Sequence, residues 1–160
     1  MTEESKYTLE EAHVEFAKKT NGMVWKLLGQ SDRTDLDNQK MELAAFASLF
    51  HWMHAGTAVH HQRGEWLIAH VYTVLGQKEP AKKHAHRCLE LTEKNMDQMA
   101  DFDLAYAYEG VARAEALAGN AEEAKQYLKL ATEAGEKIED EESKGIFVGD
   151  LESGDWYGVK

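Results

Sequence analysis

The sequence predicts an all-α fold, a short α-solenoid of stacked antiparallel helical hairpins. A helical hairpin is written twice, from Glu65 to Thr92 and from Tyr106 to Thr132. In the first copy Trp66, Ile68, Ala69 and Tyr72 lead to Leu75-Gly76, and Pro80-Ala81, Ala85, Cys88 and Leu89 follow. In the second, Tyr108, Val111, Ala112 and Glu115 lead to Ala118-Gly119-Asn120, and Ala124, Leu128 and Ala131 follow. Small residues recur where two helices must approach closely, and a Gly recurs where the first helix of each pair must stop. Composition agrees: a single Pro and many Ala, Leu, Glu and Lys residues favour helix over sheet. No linker rich in Gly, Pro and Ser divides the chain, so residues 1–160 are expected to form one domain of six or seven helices.

The first helix is expected from Leu9 to Leu28. Thr8 and Glu11 have capping-box spacing, Leu9, Ala12, Phe16, Met23 and Leu27 follow helical periodicity, and Gly29 is a stop. After a polar loop, Thr34 or Asp35 caps a second helix that runs from Leu36 to Ala55. Its stretch from Leu43 to Met53 is apolar on almost every side, the mark of a helix buried centrally or covering an interface. These two helices, within residues 8–56, form a degenerate first hairpin. Residues 58–95 form the first clear repeat, with a helix from Ala58 to Leu75 and another opening at Pro80, where a missing N–H costs nothing. The segment from Asn95 to Asp101 reads as a loop or an overlong helix end. Residues 102–138 form the second repeat, its last helix opening at Asn120 with Glu123 at capping-box spacing. Residues 139–160 hold a short seventh helix and an irregular tail. The tail's Trp156-Tyr157 pair is expected to dock on the body or on a second copy.

The formal net charge of −11 argues against nucleic acid and anionic membranes as partners. The lone Cys88 allows no disulfide within the chain and fits a reducing compartment. The start, from Met1 to Lys6, is polar and unlike a signal peptide, and no apolar run approaches membrane-spanning length. A cytoplasmic protein is the expectation. The acidic run Glu133, Glu136, Glu139, Asp140, Glu141 and Glu142 reads as a solvated face, as does the cluster from Lys82 to Arg87.

The two hairpins resemble tetratricopeptide repeats. Ile68, Ala69, Tyr72, Gly76, Ala81 and Cys88 fit the family's alternation of large and small positions, as do Val111, Ala112, Gly119, Ala124 and Ala131. Tyr108 stands where the family often has Trp, and Glu115 where it prefers Tyr. The Gly76-to-Gly119 distance exceeds the standard repeat, so the stack is irregular. His51-Trp52, Gly56-Thr57, Arg63-Gly64-Glu65-Trp66 and Phe102-Asp103-Leu104-Ala105-Tyr106 are similar to bacterial proteins of this repeat type. The resemblance implies a non-enzymatic module that binds a protein or peptide in a groove lined by the first helix of each pair. Carried onto this chain, the groove takes Arg63, Trp66, His70 and Thr73 from one helix and Tyr106, Glu109 and Arg113 from the next. Spacing supports this separately: each set is three and four apart, hence on one helical face. Two Arg side chains facing one groove suit a ligand with a carboxylate and an apolar side chain. The competing expectation is that Arg63–Glu109 and Glu65–Arg113 are internal ion pairs.

Two other functions compete. The histidines between His51 and His70 invite a metal-binding bundle or metal-dependent enzyme, with His51, His54, His61 and Glu65 as ligands. His84 and Cys88 share the same four-residue spacing. Yet no His-Glu-x-x-His, paired Glu-x-x-His, Cys-x-x-Cys, Gly-x-Ser-x-Gly or P-loop motif is present. A His on an apolar helix is usually a hydrogen-bonded core residue, Cys88 suits a buried structural thiol, and no cofactor is expected. The remaining alternative is a structural homodimer held by the second helix or the tail.

Overall fold

The computed structural model describes residues 6–160, so the polar start from Met1 to Ser5 lies outside the described residues. The described residues form α1 (Leu9–Leu28), α2 (Asp35–Ala55), α3 (Ala58–Val74), α4 (Lys78–Lys94), α5 (Asp101–Leu117), α6 (Ala121–Glu136) and α7 (Glu141–Glu152). A 3₁₀ turn, Met96–Gln98, lies within the segment read as loop or helix end. Neighbouring helices pack in pairs, α1 on α2, α3 on α4 and α5 on α6, and α7 closes the end against α5 and α6. Among the described residues no helix is long and apolar enough to cross a membrane.

The helix ends follow local chemistry. Thr8 Oγ1 accepts the Glu11 N–H while Glu11 accepts the Thr8 N–H, completing a capping box; Thr34 and Asp37 repeat it on α2. The first helix of each repeat stops by one device. Gly76 and Gly119 take φ +73° and +84°, and the Gln77 and Asn120 N–H groups reach back to the carbonyls of Tyr72 and Glu115. That is a Schellman end, which glycine satisfies without a Cβ penalty. Two expected starts differ. α4 begins at Lys78, so Pro80 occupies its third position, still within the turn whose N–H groups lack intrahelical partners. Asn120 does not cap α6 with its side chain; its amide instead donates to Glu115 Oε2 at 2.6 Å.

The core divides into two connected parts. One joins α1 to α4 and one side of α5 around Val24, Met41, Leu67, Ile68, Ala85, Cys88 and Val111. The other joins α5, α6, α7 and the tail around Ala112, Ala131, Ile138, Phe147 and Trp156. The alanines let helix axes close, so large side chains such as Ile68 and Phe147 fill the remaining space. On α1 the buried face is Ala17, Val24 and Leu27, while Leu9, Phe16 and Met23 are exposed. The periodic apolar positions of α1 therefore occupy two faces rather than one. α2 likewise buries one side and exposes the other. The acidic run from Glu133 to Glu142 is exposed, as expected.

Gly135 explains how α7 is seated. A Cβ there would overlap the ring of fully buried Phe147, which has no room to retreat. Gly135→Ala should lower unfolding free energy by roughly 1–3 kcal/mol through overpacking. Gly119→Ala, whose new Cβ meets no neighbour but whose φ is positive, should cost about 1 kcal/mol. Urea titrations of the two variants check this order.

Candidate functional site

α1, α3 and α5 line a cleft of about 280 Å³ built from Asn21, Trp25, Gln62, Arg63, Trp66, Leu67, Phe102, Asp103 and Tyr106, with Asp150 of α7 at its edge. A second hollow of about 140 Å³ shares Trp25, Trp66 and Asp150 and continues along His70, Glu109 and Arg113 to Ser153 and Gly154. The first helix of each pair thus supplies the lining.

Aromatic rings dominate the surface. Trp25 stacks near Trp66, with centroids 6.1 Å apart, and Trp66 lies parallel to His70 at 4.9 Å. Tyr106 meets Trp66 edge-on at 5.6 Å and Phe147 edge-on at 4.9 Å. The Tyr106 hydroxyl donates to Asp150 Oδ2; burial and that carboxylate hold the phenol well above its ordinary range. The guanidinium of Arg63 lies 5.2 Å over the Phe102 ring.

The charged residues divide by burial. Arg63 is half exposed and grips buried Asp103 with two bonds, Nε to Oδ1 at 2.9 Å and Nη2 to Oδ2 at 3.1 Å. Asp103 is itself fixed, because it also accepts the Ala100 N–H at the start of α5. Arg113 is buried. Its Nε donates to Glu109, and its Nη2 donates to the carbonyls of Asp150 at 2.6 Å and Ser153 at 2.9 Å. Its guanidinium carbon sits 4.2 Å from the centre of the Trp156 ring. Glu109 also accepts the Trp66 indole N–H at 3.0 Å. Burial pushes the Glu109 carboxyl up, while Arg113 and the indole pull it back.

The six residues expected to face a ligand are therefore gathered around one concave surface but do different things. Arg63, Trp66 and Tyr106 line the open cleft. Glu109 and Arg113 are consumed internally and hold the C-terminal segment. His70 stacks on Trp66 and Trp25, and burial, reinforced by Arg113, lowers its pKa to about 4. Thr73 points its hydroxyl back to the Ala69 carbonyl. The expected ion pairs are corrected in partner: Arg63 joins Asp103, Arg113 joins Glu109, and Glu65 joins His84 at 2.6 Å and Arg87 at 3.4 Å. Helical spacing places residues on one face but does not say which neighbour across the gap meets them. Gln62 was not foreseen. It lies buried against the cleft, its amide donating to Thr92 Oγ1 and the Asp103 carbonyl, while its Oε1 has no partner.

The expected metal set does not come together. His51 and His54 face α1, where His13 Nδ1 lies 2.8 Å from His51 Nδ1 and the His13 ring stacks on His54. His61 Nε2 turns to the Trp52 carbonyl, and Glu65 faces α4. The cluster from Lys82 to Arg87 is not simply a solvated face: His84 is buried on Glu65, and Lys82 and His86 approach buried Glu115. His86, Glu115 and Glu123 are near enough to share an ion. However, both Glu115 oxygens already have partners in His86 and Asn120, and the Lys82 ammonium lies 3.9 Å away. Cys88 is buried, and burial raises its thiol pKa far above the ordinary value, as suits a structural cysteine. Trp156 docks on the body, its indole N–H donating to the Leu151 carbonyl.

No protein-family model, curated protein or solved structure matches this chain.

Two measurements test the site's internal frame. Arg113→Ala leaves Glu109 buried without its cation and should cost roughly 3–5 kcal/mol in denaturant unfolding; Glu109→Gln in the same chain should recover part of that loss. His70 binds a proton more readily unfolded than folded, so between pH 6.5 and 4 acid favours the unfolded state and stability falls with pH. Between pH 7 and pH 5 the wild type should lose about 2 kcal/mol more than His70→Gln.

Proposed function

We propose that the chain is a binding module that takes an extended protein or peptide segment across its concave cleft. The carrying observation is the lining itself: Trp25, Trp66, Phe102 and Tyr106 converge on one hollow, with half-exposed Arg63 among them. Trp25 is about half exposed and the other three rings are partly buried, and Trp, Tyr and Arg are the side chains that contribute most to interfaces. The hollow of about 280 Å³ sits below the range of roughly 300–1,000 Å³ usual for drug-sized ligands. It suits one or two side chains of a longer segment better than a whole cofactor. The paired packing of helices and the resemblance to tetratricopeptide repeats point the same way.

The electrostatics narrow the ligand. Arg113 is buried and already directs four of its five N–H donors to Glu109 and to the carbonyls of Asp150, Ser153 and Asp155, so a carboxylate held between two arginines is not the favoured contact. Arg63 uses Nε and Nη2 on Asp103 and offers its remaining N–H groups to a backbone carbonyl or one carboxylate oxygen. An aromatic or branched apolar side chain against Trp25 and Trp66 supplies the affinity.

Selection of a random displayed-peptide library on the wild type, with Trp25→Ala as the counter-target, tests the reading. Trp25 is about half exposed, so its removal spares the core. Enriched peptides should share a large apolar residue, alter the protein's tryptophan fluorescence, and bind Trp25→Ala at least about tenfold more weakly, a loss of ~1.4 kcal/mol. Equal binding to both proteins, or no enrichment on the wild type, removes the cleft as a peptide site.

A further inference from the structure

α2 presents a side that the other described elements leave largely uncovered, touching it at Phe46, which meets Tyr72 and His84 edge-on. Its inner side buries Met41, Ala44, Ala45, Ser48 and Leu49. On the opposite side Leu36, Leu43, Phe46, Phe50 and Met53 are 38–63% exposed. Scattered exposed apolar side chains need no explanation, but these obey one rule. Leu36, Leu43 and Phe50 are spaced by seven, and Gln39, Phe46 and Met53 repeat that spacing three residues later. This is the a/d seam of a coiled coil, written along a helix that has no partner there.

We propose that this seam pairs, antiparallel, with the same seam of a second copy, about a two-fold axis level with Ala44 and Ala45. The register argues for it. About that axis every a position meets a d position: Leu36 meets the partner's Met53, Leu43 the partner's Phe46, and Phe50 the partner's Gln39. The contact is self-complementary, as a two-fold requires, and its single polar position, Gln39, marks the register. Charge argues for the antiparallel sense. α2 is acidic in its first turn, at Asp35 and Asp37, and carries His54 in its last. A parallel pair would set the acidic turns side by side. The antiparallel pair sets each beside the partner's His54 and opposes the two helix dipoles. Area argues for sufficiency. At these exposures the five apolar side chains leave roughly 600 Å² per copy, so a pair covers ~1,200 Å², the lower edge of stable specific interfaces. None of the seam residues lines the cleft, so pairing leaves it open.

Sedimentation across a concentration series tests the proposal. The wild type should move to twice the chain mass. Leu43→Glu and Phe46→Lys should each dissociate at least about tenfold more readily while keeping native helical circular dichroism. Their equimolar mixture should recover the doubled mass, because one copy of the central layer then holds opposite charges and the other keeps its Leu–Phe contact. Phe46 also touches Tyr72 and His84 edge-on, so Leu36→Glu with Met53→Lys, both positions over half exposed, provides the same exchange without disturbing the body. Wild type at one chain mass throughout would overturn the proposal and give the seam to a different occupant. Unchanged dimers in the single variants would place the contact elsewhere, and a mixture that stays apart would exclude the antiparallel register.

Discussion

The buried guanidinium of Arg113 is the interaction on which the concave half of this molecule depends. It accepts no substitute easily, because its donors are distributed: one to Glu109 on its own helix and three to carbonyls at the end of α7 and just beyond it. Glu109 passes the constraint on to α3 through the Trp66 indole. Three helices and the C-terminal segment are thereby tied through two side chains. Burying a charge is expensive, and such a pair is stable only when every donor and acceptor is met. Here the tail supplies what the helices lack, and the Trp156 face covers the guanidinium. The aromatic walls of the cleft keep their positions because this polar frame lies behind them.

That frame also explains why a single spacing rule yields residues of two kinds. Arg63, Trp66 and His70 share a face, as do Tyr106, Glu109 and Arg113, and all six do turn toward one concavity. What separates liner from scaffold is depth along the groove. Near the start of α5 the opposing surface is solvent, and Arg63 stays half exposed even while paired with Asp103. Toward its end the opposing surface is the chain's own C-terminal segment, which occupies the place a ligand would take. A reading based on helical periodicity has no term for a tail that folds back from another part of the chain.

Elsewhere the sequence was legible where the determinant was local. Thr8 with Glu11 marks the start of α1, and Gly76 and Gly119 mark the ends of α3 and α5, because each signal acts within a turn of its position. Asn120 shows the limit: its capping-box spacing with Glu123 is present, but Glu115 sits close enough to take the amide. Glu115 was the position that departed from the repeat pattern. Its burial makes it the local acceptor around which Lys82, His86 and Asn120 arrange themselves. Likewise Glu65, four residues from His61 in sequence, turned to His84 because α4 lies on that side. Partners across a helix pair are set by the rotation of the helices, which spacing within one helix does not encode.

The second helix brings these points together. Its sequence is apolar nearly all round, which is consistent with central burial or with an interface; the fold puts it in the first pair, where one side is buried and the other is left largely uncovered. The uncovered side is regular rather than ragged, and the regularity has a period of 3.5 residues, different from that of a helix merely packed on a globular core. Pairing through it would place two clefts on one particle without altering either. A partner with two binding segments would then meet the second cleft at an effective concentration set by the span between them, so modest affinity at each cleft would add up to firm attachment. On that view the small size of each hollow is no obstacle to function, because the affinity is divided between two.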